Sequence, residues 1–260
     1  MRADTSTQSW PPPGWVRDEY VHGDHSHNFY VVDRTQSPSR PSVLLLHEFP
    51  GLDDHIVPLA HQLSADFRVV LPSVFGVDGS RRAIESVKQI CVRKEVHLIS
   101  KGSVSKSVIW LKDFITQHVA AQGTAYGVIG MCFSGNFALA LAVDERVKAA
   151  IVAQPSLPLF PSSLGLSRQD QEQLKERSDL CVRGYRYYGD QISPAVKLAS
   201  AARLLDPGKI QTFTLSTARP IHSTLTGLRP SAFALDDMQR FLLEALRPAR
   251  VDENQGEGQC

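Results

Sequence analysis

One cysteine stands where the chain changes abruptly from strand-like to helix-like sequence. Residues 125–142 read AYGVIGMCFSGNFALALA, so a β-rich apolar run passes through Cys132 directly into an Ala- and Leu-rich run. A sharp turn from strand to helix can hold a nucleophile above a sheet, but its backbone leaves room only for small residues two positions on either side. Gly130 and Ser134 meet that demand. The pattern therefore predicts that Cys132 is a nucleophile.

Two other interpretations of this turn stay open. Ser134 is a rival nucleophile, although the residues two positions away from it are Cys132 and Asn136, and asparagine is large for such a turn. Free cysteine is also among the most frequently buried residue types, so Cys132 taken alone is typical of a core residue. The choice depends on whether the chain supplies a base and an acid elsewhere.

The partners of such a nucleophile follow it along the chain in α/β-hydrolases, first the acid and then the histidine, each in a loop after a later strand. His222 is the only histidine after Cys132, in a polar loop that follows the strand-like residues 209–215. Asp190 is the best acid, because it follows the strand-like residues 181–188, and catalytic groups of parallel sheets gather at the carboxyl ends of strands. Weaker candidates are Asp170, Asp179 and Asp206.

A second loop, upstream of Cys132, has the features of an oxyanion hole. The apolar run 42–46 predicts a buried parallel strand, and His47-Glu48-Phe49-Pro50-Gly51 follows it. In α/β-hydrolases the loop after this strand supplies one oxyanion-binding N–H, and the residue after the nucleophile supplies the other. These positions correspond to the backbone N–H groups of Phe49 and Phe133.

The pair His47-Glu48 also begins a zinc-protease motif, but the second histidine of that motif is replaced by Gly51. The four cysteines, Cys91, Cys132, Cys181 and Cys260, are far apart and form no CxxC pair. The spacing therefore predicts neither a disulfide nor a structural zinc site, and it favours a reducing compartment. We expect no metal and no other cofactor.

Four short motifs resemble those of the dienelactone hydrolase family. They are residues 47–52 (HEFPGL), residues 130–135 (GMCFSG), Gly189-Asp190 and His222-Ser223. The resemblance implies an α/β-hydrolase in which a Cys132–Asp190–His222 triad hydrolyses an ester or lactone. It also places Glu48 at the position of the family's glutamate, which contacts the resting cysteine and takes the thiol proton when substrate arrives.

The chain departs from the family pattern at two positions. Ser134 stands where the family elbow usually has glycine, which exchanges one small residue for another. Thr226 stands four residues after His222, where the family's enzyme acting on dienelactone has an arginine for the substrate carboxylate. A threonine cannot hold a carboxylate in a bidentate fork, so dienelactone is not the expected substrate. Other arginines, which we expect to be surface residues, are Arg81, Arg82, Arg93 and Arg229.

Length and composition fit one α/β domain. The chain has 260 residues, 42% of them hydrophobic, and a net charge of +1 with scattered basic residues, which gives no support for nucleic-acid binding. Strand-like and helix-like segments alternate, which predicts a doubly wound, mostly parallel sheet with helices on both faces. No apolar run approaches the length of a membrane span and no signal pattern is visible, so we expect a cytoplasmic protein, monomeric or a small homo-oligomer.

The predicted layout has three parts. Residues 1–23 are polar and proline-rich and are expected to be a mobile leader, residues 24–248 a single α/β-hydrolase domain, and residues 249–260 a disordered tail. Residues 76–102 are a candidate partial lid, and residues 154–158 are candidates to line the site.

Three functions stay open at this point. The first is hydrolysis of a small-molecule ester or lactone through an acyl-enzyme. The second is acyl transfer by the same triad, which differs only in the acceptor. The third is a non-catalytic binding protein on the hydrolase fold, against which the complete set of Glu48, Cys132, Asp190 and His222 argues.

Overall fold

One sheet organises the part of the chain that the computed structural model describes, residues 10–23, 25–34, 40–81, 106–120, 124–217 and 221–247. Its strand order is β1-β2-β4-β3-β5-β6-β7-β8. The strands are β1 (Val16–His22), β2 (His25–Val32), β3 (Ser42–Leu46), β4 (Arg68–Pro72), β5 (Tyr126–Met131), β6 (Val147–Ala153), β7 (Cys181–Tyr187) and β8 (Ile210–Leu215). Strand β2 pairs antiparallel with β1 and β4, and the other neighbours are parallel. The predicted mostly parallel sheet is confirmed.

Helices cover both faces of this sheet. They are α1 (Val57–Leu63), α2 (Lys106–Phe114, continued by a π-helical turn over Ile115–Val119), α3 (Gly135–Leu141), α4 (Arg168–Glu176), α5 (Ala195–Leu204) and α6 (Ala232–Ala245). Alternate residues of β3 point to opposite sides. Leu44 and Leu46 join a buried apolar cluster with residues of α2, α3 and α5, whereas Val43 and Leu45 join a second cluster with residues of α1 and α6. This alternation is the pattern of a strand buried on both faces, and it confirms the doubly wound arrangement.

The amino-terminal region differs from the prediction. Residues 16–22, which the proline-rich composition assigned to a mobile leader, form β1 and pair with β2 along their whole length. Trp10 and Trp15 pack on Tyr30 of β2, with ring centroids 5.5 and 6.1 Å away. The leader prediction is therefore wrong for residues 10–23, because aromatic burial outweighs the polar composition. Residues 1–9 and the predicted tail 249–260 lie outside the described residues.

The prediction that the cysteine spacing gives no disulfide is also wrong. Cys181, at the start of β7, is disulfide-bonded. Cys132 is free and buried. Cysteine spacing therefore no longer argues for a reducing compartment. Among the described residues, no helix is both long enough and apolar enough to cross a bilayer.

A buried arginine joins the end of α3 to the start of β6, at the amino edge of the parallel strands. The Arg177 side chain is 7% exposed, and its Nε donates to Asp179 at 2.7 Å. Its remaining nitrogens donate to four carbonyl groups in the connection between α3 and β6, those of Ala142, Asp144, Glu145 and Val147. The guanidinium thus satisfies the backbone acceptors at the end of the helix that carries the elbow.

Replacement of Arg177 should destabilise the fold strongly. We expect R177A to lower the free energy of unfolding by about 3 kcal/mol or more, because four backbone carbonyls, those of Ala142 and Val147 in buried contacts, lose a donor and Asp179 is left with Lys148 alone. Urea denaturation followed by circular dichroism measures the change. R168A, at the exposed first position of α4, is the matched control and should stay within about 0.5 kcal/mol of the wild type. Equal stabilities of the two variants would contradict the assignment.

Candidate active site

The structure brings the sequence-predicted residues together at the carboxyl edge of the parallel strands. Glu48 follows β3, Cys132 follows β5, and Asp190 and His222 follow β7 and β8. His222 Nδ1 lies 2.7 Å from Asp190 Oδ2. A carboxylate oxygen of Glu48, the sulfur of Cys132 and a ring nitrogen of His222 all lie within 4.8 Å of one another. Residues from four separate loops therefore converge on one point.

The turn at Cys132 has the geometry of a nucleophile elbow. Met131 ends β5 in an extended conformation, and a 3-10 turn over Cys132–Ser134 leads directly into α3. Cys132 has a φ of 52°, in the left-handed region that side chains rarely adopt. A methyl group at Gly130 would collide with the Ser134 carbonyl oxygen and lie 2.9 Å from that of Gly135. Only glycine fits there, as the sequence pattern predicts.

Ser134 holds the elbow in place. Its side chain has no exposed surface, its hydroxyl accepts from the Met131 N–H at 3.1 Å, and it donates to the His47 carbonyl at 2.9 Å. These contacts tie the elbow to the end of β3. The hydroxyl is buried and already hydrogen-bonded, which disfavours Ser134 as a nucleophile.

The Asp190 carboxylate fixes the orientation of His222. The Asp190 side chain is 3% exposed, and its Oδ1 accepts from the N–H groups of Ile192 and Ser193 at 3.0 and 3.1 Å. Its Oδ2 is therefore left for the His222 Nδ1–H. The other ring nitrogen, Nε2, is buried with no oxygen or nitrogen partner among the described residues, and Cys132 is the group it faces.

The charge state of His222 follows from these neighbours. Burial alone would lower the pKa of His222, but the Asp190 carboxylate and the Cys132 sulfur both stabilise the protonated ring and raise its pKa to about 10. The imidazole therefore lies between a carboxylate on one side and a sulfur on the other. Its raised pKa keeps the His222 ring protonated at neutral pH.

The Glu48 carboxylate accepts hydrogen bonds from three neutral side chains. Its Oε2 accepts from Ser223 Oγ at 2.8 Å and from Gln154 Nε2 at 3.4 Å, and its Oε1 accepts from the Thr226 hydroxyl. Gln154 is fully buried, and its Oε1 accepts from the Thr224 N–H at 3.1 Å. Thr226 therefore contacts Glu48, and Gln154 comes from the segment 154–158 that the sequence predicts as lining.

His47, next to Glu48 in the chain, makes structural hydrogen bonds with both of its ring nitrogens. It is fully buried, its Nε2 accepts from the Val74 N–H at 3.0 Å, and its Nδ1 donates to the Glu48 carbonyl at 3.0 Å. Burial lowers the pKa of His47, which keeps the ring neutral. Next to it, the rings of Phe49 and Phe133 pack with centroids 5.1 Å apart, so the two predicted oxyanion-hole residues lie side by side.

Two of the four arginines considered in the sequence analysis, Arg81 and Arg229, lie at the rim of the site. Arg81 pairs with Asp53 at 3.0 Å, and its side chain is 61% exposed. Arg229 is exposed as well. Both line a cavity of about 820 Å³ that also reaches His222 and Thr226. Arg82, Arg93 and the larger part of the candidate lid 76–102 lie outside the described residues.

The sequence of the chain matches one protein family over more than half of its length. The model of the dienelactone hydrolase family matches residues 28–179. The chain belongs to the dienelactone hydrolase family. This dienelactone hydrolase-like protein is accordingly a carboxylic ester hydrolase. The matched range includes Glu48 and Cys132, and no curated protein sequence matches the chain.

Solved structures support the α/β-hydrolase fold. A putative dienelactone hydrolase from Klebsiella pneumoniae is 15% identical, with a TM-score of 0.60 and coverage of 89% of this chain and 98% of that one. A dienelactone hydrolase-like promiscuous phosphotriesterase from metagenomic libraries is 16% identical, with a TM-score of 0.62 and the same coverages. An acetyl xylan esterase from Paenibacillus is 17% identical, with a TM-score of 0.58 and coverages of 92% and 87%. At these identities the likeness concerns the fold.

A methyl group at Gly130 should disrupt the elbow of this dienelactone hydrolase family member. We expect G130A to lower kcat/KM on an activated ester about 100-fold or more, because relief of the clash displaces Cys132. It should also destabilise the protein by about 2 kcal/mol. Ester hydrolysis and thermal melting measure the two effects. The control is G208A, since a methyl group at Gly208 meets no atom within 4 Å. Full activity in G130A would contradict the elbow geometry.

Proposed function

We propose that the protein hydrolyses a small-molecule carboxylic ester or lactone through a Cys132–Asp190–His222 triad and an acyl-enzyme. The observation that carries the proposal is the position of His222. Its Nδ1 lies 2.7 Å from Asp190, whose other oxygen is already occupied, and its Nε2 faces Cys132. An acid, a base and a nucleophile are thus in series, in the roles that covalent acyl transfer requires.

Acylation begins from the thiolate. The Cys132 sulfur attacks the carbonyl carbon, and the electron pair of the carbonyl bond moves to its oxygen. The backbone N–H groups of Phe49 and Phe133 hold that oxyanion. When the carbonyl re-forms, the bond to the leaving oxygen breaks, and His222 Nε2 gives that oxygen its proton. The products of this half-reaction are an alcohol and a thioester on Cys132; with a lactone the alcohol stays attached to the acyl group.

Deacylation returns the enzyme to its starting state. His222, now neutral, takes a proton from water as the water oxygen attacks the thioester carbonyl. The second tetrahedral intermediate collapses with the sulfur as leaving group. The acid is released, and the thiolate and imidazolium are restored. Asp190 keeps Nδ1 protonated throughout, so Nε2 is always the nitrogen that exchanges the proton.

Glu48 is proposed to act on molecules in which Cys132 is a neutral thiol. Its carboxylate lies within 4.8 Å of the sulfur, and both of its oxygens already accept hydrogen bonds from Ser223, Gln154 and Thr226. A carboxylate held at that distance can take the thiol proton when substrate displaces it towards the sulfur. The spacing of Glu48, Cys132 and His222 would also suit a metal ion. However, hydrogen bonds already occupy both Glu48 oxygens, and the triad accounts for the arrangement without one.

Removal of the sulfur should abolish turnover. We expect C132A to lower kcat/KM on p-nitrophenyl acetate about 1,000-fold or more, because the covalent route is lost. Mass spectrometry of the wild type quenched during turnover should show an acetyl group on the peptide that contains Cys132. An unchanged melting temperature in C132A serves as the control for folding. Wild-type rates in C132A, or acylation of another residue, would exclude Cys132 as the nucleophile.

The acid can be tested against a rival aspartate. D190N should lower kcat/KM about 100-fold or more, because the amide no longer stabilises the imidazolium. It should also lower the pKa of His222 from about 10, since one of the groups that raise it is removed. NMR of the histidine ring nitrogens across pH measures this shift. D206N is the matched control, because Asp206 is 78% exposed and pairs with Lys209. A larger loss in D206N than in D190N would refute the assignment.

A further inference from the structure

A serine hydroxyl lies against the sulfur of Cys132. Ser156 Oγ is 3.4 Å from Cys132 Sγ, and the two residues are only 4% and 5% exposed. Ser156 belongs to the loop after β6 and lies outside the four motifs that mark the family in this chain. The triad assigns it no role.

The elbow holds this loop in a fixed position. The Ser156 N–H donates to the Cys132 carbonyl at 3.0 Å, and Asn136 Nδ2 on α3 donates to the Leu157 carbonyl at 2.7 Å. A methyl group at Gly135 would lie 2.7 Å from Pro155 Cα, so the two backbones are in direct contact. The backbone of Ser156 is therefore fixed beside the sulfur.

A buried lysine anchors the far end of the same loop. Lys197 on α5 is 1% exposed, and its Nζ donates to the carbonyls of Pro158, Phe160 and Ser163. Burial lowers the pKa of Lys197 to about 8. The loop that carries Ser156 is thus held by hydrogen bonds to the elbow at one end and by hydrogen bonds to Lys197 of α5 from residue 158 onwards.

We propose that Ser156 is a further catalytic residue, whose hydroxyl donates a hydrogen bond to the Cys132 thiolate in the resting enzyme. The proposal rests on the proposed triad. A thiolate can only accept, so its charge sets the direction of this hydrogen bond. Among the described residues, the ionisable groups that face the sulfur are His222, backed by Asp190, and Glu48. The imidazolium favours the thiolate and the Glu48 carboxylate opposes it, and Ser156 adds a neutral donor on the favourable side.

This role has a signature in pH that a structural role lacks. A hydrogen bond to the charged form of an acid increases the fraction of that form. It also makes the thiolate a weaker nucleophile once it has formed, because nucleophilicity falls with basicity. Loss of the Ser156 hydroxyl should therefore slow the reaction of Cys132 at low pH and leave it equal or faster at high pH.

The test is alkylation of Cys132 by iodoacetamide between pH 5 and 10, with the rate read by mass spectrometry of the peptide that contains Cys132. S156A should move the midpoint of the pH profile upward by about one unit, so that alkylation is about tenfold slower below the midpoint and not slower above it. S156T keeps a hydroxyl and should retain the wild-type midpoint. S64A is the matched control, because Ser64 is also buried and donates to the His61 carbonyl at 2.9 Å, but its contacts lie at the end of α1.

Three results would overturn the proposal: an unchanged midpoint in S156A, an equal slowing at every pH, or a shift in S156T as large as in S156A. The assay uses no ester, so its outcome is separate from that of the triad. If C132A is inactive and S156A has the wild-type profile, the triad stands and the role of Ser156 is refuted. If C132A hydrolyses esters normally, the proposed function itself fails, and the role of Ser156 fails with it.

Discussion

The close approach of backbones at the elbow is the constraint on which the site depends. Gly130 has no room for a methyl group beside Ser134, and Cys132 is consequently held at a φ of 52°. A non-glycine residue in that region costs about 1 kcal/mol or more and persists only when its surroundings determine it. Here the surroundings are the Ser134 hydroxyl, which joins the elbow to the end of β3, and the loop after β6, which closes on it from the other side. The position of the Cys132 sulfur is therefore fixed by backbone packing together with the Ser134 hydroxyl.

Around that sulfur, the polar groups are arranged so that almost every one has a partner. Asp190 receives two backbone N–H groups and His222, and Glu48 receives two hydroxyls and an amide. His222 Nε2 has no oxygen or nitrogen partner among the described residues, and in the proposed mechanism it is the atom that exchanges a proton with substrate. The paired groups hold their positions, because a rearrangement would leave a buried polar atom without a hydrogen bond. Thr226 belongs to this arrangement as a partner of Glu48.

The features that could be predicted from the sequence depend on the order of residues along the chain or on the pattern within one short segment. Cys132, Asp190 and His222 could be proposed because the elbow has strict size limits and because only one histidine follows it. The central strands could be recognised as continuous apolar runs, and β3 indeed alternates between two buried faces. The partners of Glu48 and the contact between Ser156 and Cys132 depend on how separate loops meet, which no local pattern records. Strand β1 was missed because Tyr20 is its only buried residue and packs on Trp110 and Phe114, which are distant in sequence. The disulfide at Cys181 was missed because spacing along the chain does not give distance in the fold.

The hairpin formed by β1 and β2 also determines how the sheet ends. A bare edge strand offers unpaired N–H and C=O groups to any other extended chain, and natural proteins blunt such edges with charge. Strand β1 is the outer strand on this side, and its consecutive residues Arg17, Asp18 and Glu19 are all exposed. The antiparallel pair β1–β2 thus lies between the parallel strands and solvent on this side of the sheet. A strand from another sheet that paired with β1 would meet a row of residues of both charges. The segment whose composition suggested a loose leader is in this way a cap that discourages edge-to-edge aggregation.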